Sequence, residues 1–281
     1  MGAAAAPIGV FDSGLGGLTV VRALRGAVPD ESLLYLGDTA RVPYGTRSAE
    51  TVVRYARSCS RELVARGVKA LVIACNTVSA VAVEVLAAEL DLPVLGVIEP
   101  GAEAAVAAAE AVGAAAGALP KIGVLGTQGT VLSGAYPRAV ARLSSRLEVV
   151  AQAAPLLVPL VEEGWVEGEV PERVVERYVD PLVAEGAGVL VLGCTHYPLL
   201  APVIARVAER LAGRPIPVVD GAAATARRVA EWIRTERLEP APAGAAGTLE
   251  LLVTDLPASF ARLAESFLGR GEAPVAQIDL R

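Results

Sequence analysis

VLVLGCTHYPLL, residues 189–200, is the stretch on which the fold turns. A run of β-branched and apolar residues ends at Gly193. It is followed at once by Cys194, Thr195 and His196, the only histidine of the chain. A short apolar run closed by glycine reads as a buried strand, so the thiol and imidazole fall at its carboxyl end. ALVIACNTVS, residues 70–79, has the same form, with Cys75, Asn76 and Thr77 after the apolar run. In open α/β sheets, ligands sit beyond the carboxyl ends of the strands.

Working outward, further candidate strands are Ile8–Phe11, Leu33–Leu36, Val94–Val97, Ile122–Leu125, Leu147–Ala151, Ile216–Val219 and Leu249–Val253. Helical patterns lie between them, among them Ala49–Arg66, Val78–Leu90 and Pro171–Glu185. This alternation predicts an α/β architecture with mostly parallel sheets. The chain also repeats itself. IGVFDSGLGG begins at Ile8 and IGVLGTQGTV at Ile122; VIACNT and VLGCTH place Cys75 and Cys194 at a similar offset. Two related α/β units follow, each with a Gly/Ser/Thr loop and a cysteine at the carboxyl end of its sheet. The last elements, from the strand IPVVD onward, are expected to return to the first unit. The expected domains are residues 1–98 with 213–281, and 99–212.

Composition narrows the function. The chain has 281 residues, 53% hydrophobic and only 4% aromatic, so Val, Leu and Ala must build a large core. Its net charge is −6, with both signs interspersed and no basic stripe; this argues against nucleic acid as a partner. Three cysteines, Cys59, Cys75 and Cys194, make no disulfide framework. The start lacks the pattern of a signal peptide. No apolar run reaches the roughly 18 residues of a membrane span. The expectation is a protein of the reducing cytoplasm with no membrane role.

Cys59, on a predicted helix, reads as a core residue. Cys75 and Cys194 each precede a predicted helix, whose N-terminal N–H groups and partial positive charge favour a thiolate. Two opposed thiols suit the inversion of a carbon bearing a hydrogen, since one takes a proton from one face while the other returns one to the opposite face. In VFDSGLGGLTV the dinucleotide pattern starting at Gly14 fails, because Thr19 stands where its third glycine belongs. Asp38 is nevertheless the type of acid that binds a ribose. The other reading places Asp12 and Ser13 as polar groups at a cleft, with glycines permitting a tight turn. In DTARVPYG, Tyr44 reaches a ligand and Gly45 offers a backbone N–H, or the segment is only a turn. His196 is either a structural histidine or, two residues after a strand-end cysteine, a functional one. Cys194-Thr195-His196 lacks zinc-type ligand spacing, and no metal is expected.

FDSGLGGLTV, GDTARVPYG, ACNTVS, GTQGTVLSGAY, PLVEEGW and GCTHYPLL occur in that order, and together they resemble the bacterial glutamate racemases. The resemblance covers about Ile8 to Ala226. It implies two α/β domains of three layers, related by a pseudo-twofold axis, that enclose glutamate between Cys75 and Cys194. It implies racemisation without cofactor or metal, with the first thiol deprotonating the D-enantiomer and the second the L-enantiomer. Asp12 assists near Cys75 and His196 near Cys194, and Glu162 neighbours the histidine, with Glu163 its adjacent competitor. Ser13, Tyr44, Gly45, Asn76, Thr77 and Thr195 hold the amino and carboxylate groups, and Thr127 and Thr130 come second for the side-chain end. The implied role is supply of D-glutamate for peptidoglycan, with a homodimer as a family-level expectation. One departure is Asp220–Gly221, where the family commonly has Asp-Ser. Two further readings stand beside this one: a racemase for aspartate or another amino acid, and a noncatalytic two-domain protein binding a small acidic ligand. A pyridoxal enzyme needs a Schiff-base lysine. The only lysines, Lys69 and Lys121, stand at the entries of predicted strands. Because an amino-acid α-proton is far less acidic than a thiol, closure of the cleft to exclude water is also expected.

Overall fold

The computed structural model describes residues 5–242, 244–256, 260–269 and 273–280. The chain divides into two compact units, Met1–Val97 with Ala222–Arg281, and Ile98–Gly221. The first begins with β1 (Ile8–Asp12), α1 (Leu18–Ala27), β2 (Leu33–Gly37), α2 (Ala49–Ala65), β3 (Ala70–Ile73), α3 (Asn76–Glu89) and β4 (Val94–Gly96). The second holds α4 (Ile98–Ala116), β5 (Lys121–Gly126), α5 (Gln128–Leu132), α6 (Ala135–Leu143), β6 (Val149–Ala153), α7 (Leu157–Glu162), α8 (Glu169–Ala184), β7 (Ala187–Gly193), a 3-10 turn (Tyr197–Leu200), α9 (Ala201–Ala212) and β8 (Val218–Asp220). The chain then returns with α10 (Gly221–Arg234), β9 (Leu249–Val253), α11 (Phe260–Leu268) and β10 (Val275–Gln277).

Both sheets are parallel. Their orders are β10-β9-β2-β1-β3-β4 and β6-β5-β7-β8. The run β2-β1-β3-β4 has the same topology as β6-β5-β7-β8, which is the repetition seen between Ile8 and Ile122 and between the two cysteine segments. In the first unit α2 and α3 pack together over the sheet face that carries Phe11, Leu34, Leu36, Leu71 and Ile73. The helix α2 forms because Ser48 caps it, its Oγ accepting from Thr51 N at 3.3 Å. It buries Val52, Ala56, Cys59 and Leu63, spaced by three and four so that they line one side. Phe11, Leu36, Leu63 and Ile73 are 0% exposed; each such side chain contributes about 1.5–3 kcal/mol on burial. In the second unit α4 packs with α6 and α8 with α9, completing the layered arrangement.

Two expectations are corrected. The strand expected at Ile216–Val219 does not return to the first unit. As β8, Val218–Asp220, it pairs with β7 through Leu190–Val218 and Leu192–Asp220, so the chain crosses back at Gly221 rather than near residue 213. The reason is an open edge: β7 pairs with β5 on one side, and its other edge takes the next extended segment. The strand expected at Leu147–Ala151 lies at Val149–Ala153. A further short strand, β10, extends the first sheet beyond β9. Among the described residues no helix is long and apolar enough to cross a membrane.

Candidate active site

In the first unit the carboxyl ends of β1 and β3 lie side by side. Asp12, the last residue of β1, is 0% exposed, and its Oδ2 accepts from Gly14 N at 3.1 Å. The loop after it is drawn tight by glycine. A Cβ at Gly17 would stand 2.5 Å from Asp12 Cβ, and one at Gly37 would stand 2.3 Å from Gly14 O. Tyr35, on β2, donates its hydroxyl to Gly14 O at 2.6 Å. Burial, then the nearby Asp12 and Cys75, push this phenol well above its usual range, so it stays protonated and keeps the bond.

Cys75 follows β3 and is the residue immediately before α3, its carbonyl accepting from Ser79 N at 2.8 Å. It is 6% exposed, and its thiol donates to Ser13 Oγ at 3.4 Å. Asn76 and Thr77 form the first turn of α3 and are buried. Here the expected helix N-terminus is present. Cys59 differs. It is 0% exposed within the core beneath α2, and burial and then Asp38 raise its thiol above the usual range.

In the 38–45 loop, Tyr44 is 1% exposed and turned inward, its hydroxyl donating to the Asp38 carboxylate. Asp38 is itself 0% exposed and accepts from Arg41 and Thr254 as well. It is therefore closed to a ribose, and the dinucleotide reading of this acid is set aside. Gly45 is half-buried at the turn after Tyr44.

In the second unit Cys194 follows β7 and is 7% exposed. The expectation of a helix start immediately after it is corrected. Thr195 and His196 intervene, then the 3-10 turn at Tyr197–Leu200, and α9 begins only at Ala201. Pro198 lies in this turn and has no N–H for a regular helical bond. Cys194 therefore takes its electrostatic partner from a side chain. His196 Nδ1 lies 3.9 Å from Cys194 Sγ, and His196 Nε2 lies 3.2 Å from Glu162 Oε1. Of the adjacent pair it is thus Glu162 that meets the ring; Glu163 caps the end of α7 through its backbone. Tyr197, not anticipated from the sequence, holds this loop in place by donating to Ala154 O at 2.8 Å. Thr127 caps α5, its Oγ1 lying 3.0 Å from Thr130 Oγ1 at the carboxyl end of β5. A surface groove of about 780 Å³, lined in part by Gln128, Leu132, Gln152 and Arg177, contains neither Cys194 nor His196.

Burial works against charge on His196, but the contacts with Cys194 and Glu162 outweigh it and push the imidazole up to about 10. The protonated ring favours the folded state fully below the ordinary histidine value of about 6.5. That contribution is lost as pH rises through about 10. Because the chain has one histidine, its imidazole resonances give a single titration curve. The expected midpoint lies far above the ordinary value; a midpoint near 6.5 would show that Cys194 and Glu162 do not hold the ring charged.

Both lysines stand at the amino ends of strands. Lys69 precedes β3 and pairs with Glu31 at 2.7 Å, and Lys121 opens β5 and pairs with Glu148 at 2.9 Å.

Residues 18–229 match the family model for Asp/Glu/Hydantoin racemase. The glutamate racemase of Geobacter metallireducens is 46% identical over 273 residues, covering 97% of this chain and 96% of that one. Among solved structures, the glutamate racemase of Thermus thermophilus, in complex with β-chloro-D-alanine, is 42% identical, covers 98% of each chain and has a TM-score of 0.82. That of Francisella tularensis, in complex with D-glutamate, is 31% identical, covers 98% of each chain and has a TM-score of 0.86.

Proposed function

The chain belongs to the Asp/Glu/hydantoin racemase family, and on that premise we propose that it interconverts L- and D-glutamate by exchanging the α-proton between two thiols, Cys75 and Cys194. One observation carries this reading. The two cysteines occupy equivalent places, after β3 and after β7, in two sheets of the same strand topology. Each has its own polar partners there, Ser13 for Cys75 and the His196–Glu162 pair for Cys194.

The steps balance without an external reagent. A thiolate takes the α-proton from one face and becomes a thiol. The thiol on the opposite face gives its proton to the same carbon and becomes the thiolate. No electrons leave the system, and the reverse reaction exchanges the two roles. Cys75 serves the D-enantiomer and Cys194 the L-enantiomer. The N–H groups at the start of α3 favour the Cys75 thiolate, with Asp12 beside that loop assisting proton movement. His196, paired on its far ring nitrogen with Glu162, stands beside the Cys194 sulfur and assists its proton movement. Ser13, Asn76, Thr77, Thr195 and the main chain at Tyr44 and Gly45 hold the ammonium and α-carboxylate, while Thr127 and Thr130 receive the side-chain end. Donors aimed at the carboxylate stabilise the carbanion-like transition state, where most of the barrier lies. No lysine stands at a strand's carboxyl end to form a Schiff base, in keeping with a reaction that needs no pyridoxal cofactor. D-glutamate made this way in the cytoplasm supplies peptidoglycan synthesis.

The test is optical. The circular dichroism of either glutamate enantiomer should decay to zero with the purified protein, and in heavy water the product should carry deuterium at the α-carbon. An unchanging signal, or product formed without deuterium, overturns the proposal. Turnover of aspartate in place of glutamate moves the substrate within the family.

A further inference from the structure

We propose that Thr254, at the end of β9, and Asp38, at the end of β2, form a positioning pair that holds the 38–45 loop in the shape needed to receive the substrate carboxylate. This rests on the racemase reading and extends it to a residue outside both the matched family region, 18–229, and the motifs of the resemblance.

Asp38 is a fully buried acid whose two oxygens are both engaged. Oδ1 accepts from Thr254 Oγ1 at 2.8 Å. Oδ2 accepts from Arg41 Nε at 2.6 Å and from the Tyr44 hydroxyl. Its backbone N–H donates to Asp12 O at 3.1 Å, so the same residue touches the strand end that carries the catalytic acid. Thr254 does more than reach Asp38. Its Oγ1 accepts from Ala40 N at 2.9 Å, and its own N–H donates to Gly37 O at 3.2 Å. Next to it, Thr39 Oγ1 donates to Asp255 O at 2.6 Å and accepts from Asp255 N at 2.8 Å. The end of β9 is thereby stitched to the loop along residues 37–40, and Asp38 carries the constraint on to Arg41 and Tyr44.

With the Tyr44 phenol engaged inside the protein, what the loop presents to a ligand is main chain at Tyr44 and Gly45. Main-chain donors have no side-chain rotamers with which to adjust, so their aim depends on the loop's shape. An aim that is wrong by about 1 Å is enough to lose orders of magnitude in rate. Placing a carboxylate out of water is costly unless its partners are complete; a complete set holds one loop geometry. The pair touches no reacting atom and acts through the loop.

The experiment compares wild type, Thr254→Val, Thr254→Ser, Asp38→Asn and the double variant Asp38→Asn/Thr254→Val. Thr254→Val keeps shape and removes the hydroxyl. It should lower kcat/KM for glutamate roughly tenfold, through kcat as well as KM, because the loop's donors also stabilise the transition state. Thr254→Ser should restore kcat/KM. The double variant should be no worse than Asp38→Asn alone, since two residues in one chain of contacts are not additive. An unchanged kcat/KM for Thr254→Val, no rescue by Thr254→Ser, or independent multiplication of the two effects would overturn the proposal. Amide hydrogen exchange provides a readout that does not depend on the substrate. Residues 39–47 should exchange faster in Thr254→Val than in wild type, and equal rates overturn the pair even if wild type racemises nothing. Absence of racemisation by wild type, in turn, overturns the functional reading alone.

Discussion

Cys75→Ala and Cys194→Ala should each lower kcat/KM for glutamate by roughly 10³-fold or more, the scale of a lost general acid or base. That factor corresponds to about 4 kcal/mol of transition-state stabilisation. The two enantiomers have equal free energy in water, so the equilibrium constant is one. Each variant must therefore lose kcat/KM equally in both directions, whichever thiol is gone. The distinct roles emerge only in a measurement that stops short of inversion. In heavy water Cys194→Ala retains the thiol that faces the D-enantiomer and should exchange the α-hydrogen of D-glutamate with retention of configuration. Cys75→Ala should do so with L-glutamate. Exchange of both enantiomers by one variant would show that a single base serves both faces. Full racemisation by both serine variants would remove the two-thiol mechanism, since a serine hydroxyl is a far weaker acid than a thiol.

Much of this was readable from local pattern. Strand-end placement of Cys75 depends on the run ALVIA and on a helix that begins at Asn76, both encoded within a few residues. The doubled topology was visible because glycine loops and β-branched runs recur in the same order. Contacts across the sheet were not readable. Tyr35 and Gly14 are 21 residues apart, and Asp38 and Thr254 are 216 apart. Nothing in either local segment specifies its partner. The membership of β8 depended in the same way on a free edge of β7, a property of the assembled sheet. Cys194 shows a subtler limit. The resemblance of VLGCTH to VIACNT suggests the same helix start, yet Pro198 delays α9 and leaves a histidine as the neighbour of Cys194 where Cys75 has a helix N-terminus.

The largest expected effect on stability lies at the opposite end of the first sheet. Lys69→Met should destabilise the first unit by about 3–5 kcal/mol, the cost of leaving one member of a buried ion pair without the other. Lys69 Nζ lies 2.7 Å from Glu31 Oε2, with the two side chains only 5% and 4% exposed. The pair also ties down the segment that follows α10. Lys69 Nζ donates to Glu239 O at 2.7 Å, and Glu31 Oε1 accepts from Ala241 N at 2.7 Å. In Lys69→Met the Glu31 carboxylate remains out of water without its ammonium partner. Replacing both, as Lys69→Met/Glu31→Leu, removes the uncompensated charge and should recover much of the loss. Recovery is incomplete because the backbone groups of Glu239 and Ala241 lose these partners. The exposed Arg57–Glu89 pair is the control: although its atoms are 2.5 Å apart, water screens it and Arg57→Met should change stability little. The chain carries one tryptophan in each unit, Trp165 and the buried Trp232. In a Trp165→Phe background, the fluorescence of Trp232 during urea unfolding reports the first unit alone. A Lys69→Met midpoint as close to the parent as that of Arg57→Met would mean that the buried pair contributes no more than a surface one.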